Sequence, residues 1–167
     1  MRNVALPGAA ITLVLGLVGV ASIAAAPSAA GPSAAAAKTL RFEVRFSPFS
    51  LIPVNPERDP TTHLGLGDEL TFHDLLFADG QQVGDEGGSC VMIDAGQALA
   101  TCTEVIRLPG GTITAQFLNG PPADKQLAIT GGTGAYRAAG GEGTLVEFGP
   151  ETGSLTLRLL ALARDAD

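Results

Sequence analysis

The chain has 167 residues, enough for one domain with its own core after a leader is set aside, and 46% are apolar against 16% charged. Ten Lys and Arg face 17 Asp and Glu, a net charge of −7 with no basic cluster, which argues against nucleic acid or an anionic membrane surface as a partner. The two cysteines lie far from His63 and His73 and give no metal-ligand spacing, so no metal site is expected.

Arg2 precedes an uncharged run over 4–26 rich in Leu, Val and Ala, and small-residue pairs follow it. This is the pattern of a cleavable secretory signal, cut after Ala26 or, because Pro27 is unfavourable there, after Ala36. An uncleaved membrane anchor is the alternative, since the run is about as long as a spanning helix, although Pro7, Gly8, Gly16 and Gly19 interrupt it. Residues 1–36 are therefore read as signal segment and Ala/Pro/Ser linker, and 38–167 as the folded domain of a secreted, extracytoplasmic protein with no membrane contact after cleavage.

From Thr39 the pattern alternates. Leu40, Phe42, Val44 and Phe46 fall on one side of an extended segment and Arg41, Glu43 and Arg45 on the other, which predicts a half-buried strand. Residues 47–64 carry four prolines and no period, a long loop of the kind that covers or gates something. Strands are expected over 69–78, ended by Asp79-Gly80, and over 81–94 and 98–108 around Ala95-Gly96-Gln97. Further strands are expected over 112–118, after Pro109-Gly110-Gly111, and over 125–130, after Asn119-Gly-Pro-Pro122. Residues 128–143 hold six glycines between Gly131 and Gly143 and are followed by the β-type run 144–148, so they read as a turn-rich crossing; a phosphate loop would open a helix. Residues 154–163 form a last strand or a short helix. About eight β-segments and no amphipathic helix indicate an all-β sandwich or closed antiparallel barrel.

A hairpin turn centred on Gly96 sets Cys90 directly across from Cys102, close enough for a disulfide in an exported protein; a free Cys90 touching a ligand is the alternative.

Leu64-Gly-Leu-Gly-Asp68, Gly88-Ser-Cys-Val-Met-Ile93, Gly110-Gly-Thr-Ile113, Asn119-Gly-Pro121 and Leu127-Ala-Ile-Thr-Gly-Gly-Thr-Gly-Ala-Tyr136 resemble plant allene oxide cyclases. Gly131-Gly-Thr-Gly-Ala-Tyr-Arg-Ala-Ala139 is similar also to the dirigent proteins, and the match runs in order over roughly 39–160. The resemblance implies an eight-stranded antiparallel barrel with a central cavity, commonly a homotrimer, working without a cofactor on an apolar or phenolic small molecule. It implies catalytic roles for Glu43 and Asp74, a pocket position for Cys90, and ligand contacts from Arg45, Phe72, Leu76, Met92 and Tyr136. Asp74 shares its face with Leu70, Phe72 and Leu76, which suits a carboxyl kept neutral by desolvation for general acid work. The plainer readings are that Glu43 lies on a solvated face with Arg41 and Arg45, that Asp74 caps a turn or pairs with an arginine, and that Tyr136 packs the barrel. His73 points away from Asp74 and reads as a surface residue. Gly140 stands where dirigents carry an arginine and Pro122 where cyclases carry a tyrosine, so neither plant reaction transfers whole.

The first functional expectation is a barrel that excludes water from a reactive intermediate and holds it near one attack geometry, guiding stereoselective cyclisation or coupling. The second is a barrel that only sequesters an apolar ligand or serves as an envelope-associated structural protein. No nucleophile, base and orienter trio is visible for a hydrolase.

Overall fold

A computed structural model describes residues 38–57, 59 and 64–160. The signal segment and linker expected over 1–36 lie outside them, as do His63 and residues 161–163 of the expected last strand. The chain divides into two units, Met1–Pro32 and Ser33–Asp167, and all described residues belong to the second.

Nine strands follow in order: β1 (Lys38–Arg45), β2 (Ser50–Ile52), β3 (Glu69–Ala78), β4 (Gln81–Asp94), β5 (Leu99–Leu108), β6 (Gly111–Asn119), β7 (Asp124–Gly132), β8 (Gly141–Glu147) and β9 (Thr152–Leu159). They form one antiparallel sheet in the order β1-β9-β8-β7-β6-β5-β4-β3-β2. β1 also pairs with β3, setting 43–45 against 75–77, and this closes β1 and β3 through β9 into an eight-stranded barrel. β2 is an extra strand on the first half of β3, with Leu51 opposite Leu70. Closure removes the exposed edges that an open sheet of such short strands would present.

The period-two pattern carries directly into burial. Val44, Leu76, Ile106, Ile113, Leu155 and Leu157 are almost fully enclosed, and they pack the end of the barrel where β5 turns into β6. A 3-10 turn, Gly134–Tyr136, lies beside that end with Tyr136 buried. It is tied there by Ala135 N–H donating to the Gly110 carbonyl at 2.8 Å and Thr133 N–H donating to the Thr112 carbonyl at 2.8 Å. This turn is the core of the glycine-rich crossing. Gly134 has φ +57, and a Cβ there would stand 2.1 Å from the Gly110 carbonyl oxygen, so only glycine fits the crossing.

Of the two forms open for the last element, it takes the strand. One detail differs from the sequence reading. The proline-rich loop holds β2, which formed no visible pattern because it is three residues long. The chain leaves the β3 edge after Arg45, opposite Leu75, and rejoins it at Ser50, opposite Thr71, one residue out of register. This bulge carries Pro48, which has no N–H for a ladder. The rest of the loop is anchored by Asp68, whose buried carboxylate accepts the N–H groups of Val54 at 3.0 Å and Gly65 at 2.7 Å.

Cys90 and Cys102 are direct cross-strand partners of β4 and β5 and form a disulfide inside the barrel. Replacing both by alanine should lower the unfolding free energy by about 2 to 3 kcal/mol through the larger entropy of the opened loop. Denaturant titration of the double variant against the oxidised protein measures it, and an unchanged midpoint would contradict it.

Candidate active site

At the barrel end opposite the packed core, where β6 turns into β7, the interior opens into a cavity of about 470 Å³. Ligand pockets commonly span roughly 300 to 1,000 Å³, so the space suits a small organic molecule. Phe46, Phe49, Leu70, Phe72, Phe117 and Leu145 give it apolar, largely aromatic walls. The bulge between β1 and β2 forms part of the mouth and brings Ser47 and Phe49 to it.

Three carboxyl groups stand in these walls. Asp74 on β3, Glu86 on β4 and Glu104 on β5 are 5%, 2% and 3% exposed. Asp74 and Glu86 are directly opposed across two strands, a placement that sets Cβ atoms about 5 Å apart. Glu104 is opposed to Gly88, which makes it a diagonal neighbour of Glu86 at about 7 Å. Gly88 lets these strands approach: a Cβ there would lie 2.1 Å from the Thr103 carbonyl oxygen and 2.9 Å from Glu104 Cα.

The Ser47 N–H donates to Asp74 Oδ1 at 2.7 Å. Glu86 Oε2 and Glu104 Oε1 are buried and have no hydrogen-bond partner among the described residues. Such atoms make the ionised forms costly. Burial pushes all three acids upward. The neighbouring Glu104 and Asp74 charges push Glu86 further, well above the usual carboxylate range. Burial and then the Asp74 charge push Glu104 up to about 7. Asp74 is raised by burial, against the opposing pull of the Ser47 hydrogen bond and of His73. The cluster thus holds protons near neutrality and can both give and take one, the requirement for general acid and base work.

The other expected residues distribute as follows. Phe72 lines the cavity, and Cys90 lines it as half of the disulfide. Met92 lines an adjoining hollow of about 130 Å³ that shares Leu70, Cys90 and Asn119 with the main cavity. Leu76 belongs to the packed core, and Tyr136 is buried at the far end with Lys38 Nζ 5.5 Å from its ring centre; neither lines the cavity. Glu43 and Arg45 stand on the outer face, paired at 3.2 Å, with the Arg45 guanidinium 3.8 Å from the Phe77 ring centre. Strict alternation on β1 directs Val44 inward and both charges outward, so the pocket positions expected for them are not what the structure shows. His73 also faces outward, its Nε2 3.0 Å from Asp85 Oδ2, and Arg107 Nε donates to Asp85 Oδ1 at 2.8 Å.

Glu86 and Glu104 were not singled out from the sequence, although a signal for them existed. Alternation places every second residue on one face, so an inward Cys90 and Cys102 bring Glu86 and Glu104 inward with them.

The cluster gives folding a defined pH dependence. A raised carboxyl pKa means that the folded state holds more protons than the unfolded chain, so stability is fully present below the unfolded value and is lost as pH rises. For Glu104 the window runs from 4.5 to about 7, and Asp74 and Glu86 act with the same sign. Asp85 acts in the opposite sense but elsewhere: Arg107 and His73 hold it at about 2, so its contribution is lost only as pH falls from 3.8 toward that value. Urea unfolding should show the protein less stable at about pH 8 than at about pH 5, with Glu104→Gln removing much of the difference; an equal loss in the variant would contradict it.

Solved structures share this architecture. A pyocyanin demethylase is 29% identical, with 73% of this chain and 99% of that chain covered, at a TM-score of 0.61. A pterocarpan synthase dirigent protein is 20% identical over 74% of this chain and 92% of that one, at 0.59. A Diels–Alderase from Streptomyces koyangensis is 16% identical over 78% and 73%, at 0.55. The last two identities speak for the fold alone. No curated protein matches the chain significantly. Residues 52–156 match the allene oxide cyclase barrel like domain, and the chain belongs to that family.

Proposed function

We propose that the barrel binds an apolar or phenolic small molecule and guides cyclisation or coupling of a reactive intermediate by shape and by proton transfer from a buried acid. The observation that carries this reading is the placement of three buried carboxyl groups, each pushed upward in pKa by burial, in the wall of one cavity rich in phenylalanine. An epoxide, carbonyl or quinone methide oxygen within reach of Glu104 takes a proton as negative charge develops on it. The same residue, once ionised, can accept the proton released when the ring or bond has formed. Asp74, held by the Ser47 N–H, is the second carboxyl group, and its charge opposes ionisation of Glu104 and Glu86. The aromatic walls exclude water and limit the conformations from which reaction occurs, which is how one isomer comes to dominate. That relatives of this fold include a dirigent protein and a Diels–Alderase supports the reading.

Export and assembly as a homotrimer are parts of the same proposal. The intact disulfide suits an oxidising compartment, and among the described residues no helix is long and apolar enough to cross a membrane.

The test compares extracts of cells that carry the gene, lack it, or carry Asp74→Asn, Glu104→Gln or Glu43→Ala, using chiral chromatography with mass detection. A same-mass product whose isomer ratio collapses in the two cavity variants, with formation slowed by about 100-fold or more, and which is unchanged in Glu43→Ala, is the expected result. A ratio unaffected by Glu104→Gln overturns the proposal and leaves a barrel that only sequesters its ligand.

A further inference from the structure

The cavity's charges are one-sided. Asp74 on β3, Glu86 on β4, Glu104 on β5 and, nearer the mouth, Glu147 on β8 all line it. The one cation that reaches this region among the described residues is Lys125 on β7, and it is already engaged. Its Nζ donates to the carbonyls of Gly120 and Pro122 at 2.5 Å each and lies 3.5 Å from Glu147 Oε2. It therefore does not answer the three deeper acids. His73 is turned outward onto Asp85, and Arg45 covers Phe77 on the outer face.

An enclosed set of acids with two unpartnered oxygens is unfavourable unless something fills it. Protons can do so in the empty barrel, because the acids cannot all ionise at such spacing. A ligand's positive charge would do so more completely, since it pairs with the orphan oxygens directly and lets at least one acid ionise. A metal ion is not what the side chains are arranged for: among the described residues no group of three or more His, Cys, Asp and Glu is placed to hold one. The remaining walls include four phenylalanines, Phe46, Phe49, Phe72 and Phe117, and ring faces attract organic cations.

We propose that the cavity selects an organic cation of the arylalkylammonium class, with its charge between Glu86 and Glu104 and its rings against Phe72 and Phe117. The proposal rests on the small-molecule reading above and adds that the bound molecule carries a cationic group beside its apolar or phenolic rings. Long-chain carboxylates are excluded by the same charges that hold the cation. On binding, the cation takes the place of a proton shared by the acids, and that proton leaves to the buffer.

Three probes of one shape and different charge test this: 2-naphthylmethylammonium, 2-naphthylmethanol and 2-naphthoate, titrated at constant pH into the wild-type protein. With no Trp and one Tyr in the chain, naphthalene fluorescence reads binding against little background. The ammonium should bind about tenfold or more tightly than the alcohol, and the naphthoate most weakly. Calorimetry in two buffers of different ionisation enthalpy should show protons released with the ammonium and none with the alcohol. In Glu104→Gln the ratio of ammonium to alcohol affinity should fall toward one. If the alcohol binds and the ammonium binds no better, the cation inference fails and the small-molecule reading stands. If none of the three binds, both fail. The wild-type series decides the question even if the variant does not fold.

Discussion

The short pairing of β1 with β3 is the constraint on which the rest depends. It spans three residues on each strand, yet it turns a nine-stranded sheet into a closed barrel and so gives every other strand an inside and an outside. Because the pairing stops at Arg45, β3 from Phe72 to Asp74 faces a bulge in place of a continuous partner strand. There the Ser47 N–H, free of any ladder partner, reaches the Asp74 carboxylate at 2.7 Å. Barrel closure and the edge of the cavity are made by the same few residues.

Closure also explains why the acids behave as a group. Inward positions of adjacent strands are held about 5 Å apart by the ladder, so acids on β3, β4 and β5 cannot move away from one another or turn to solvent. A site of this kind costs stability, and the structure places the offsetting interactions nearby. The disulfide ties β4 to β5 immediately beside Glu104, and six aliphatic residues fill the opposite end almost without exposure. Asp85, next to Glu86 in sequence but on the outer face of β4, shows the contrast: the same residue class with Arg107 and His73 as partners is stabilised as an anion. Environment, not residue type, separates the two behaviours.

Most of the barrel was legible because its signals are local. Alternation over Leu40 to Phe46 and turn pairs such as Asp79-Gly80 fix strand limits without reference to the rest of the chain, and 69–78 and 81–94 agree with the structure residue for residue. The register that sets Cys90 opposite Cys102 followed from a turn centre, and the expectation of export favoured a bridge there over a free thiol. What was not legible depends on closure. Which face of β1 is interior decides between Glu43 and Val44, and resemblance to a cyclase glutamate pointed to Glu43 while the apolar alternation pointed to Val44; the alternation held. Glu86 was hidden because Gly84, Gly87 and Gly88 interrupt the apolar pattern of β4, although those glycines let neighbouring strands come close. β2 exists only because β3 offers it an edge, and three residues cannot announce that.

The central claim is that Asp74, Glu86 and Glu104 form one proton-holding cluster inside an aromatic cavity. It is tested most directly by carboxyl-carbon NMR titration of the folded protein, with Glu104 assigned by loss of its signal in Glu104→Gln. The account predicts that Glu104 titrates far above its unfolded value of 4.5, toward about 7, in steps shared with its neighbours and shifted when an amine occupies the cavity. A Glu104 that titrates alone near 4.5 and ignores every ligand would contradict it.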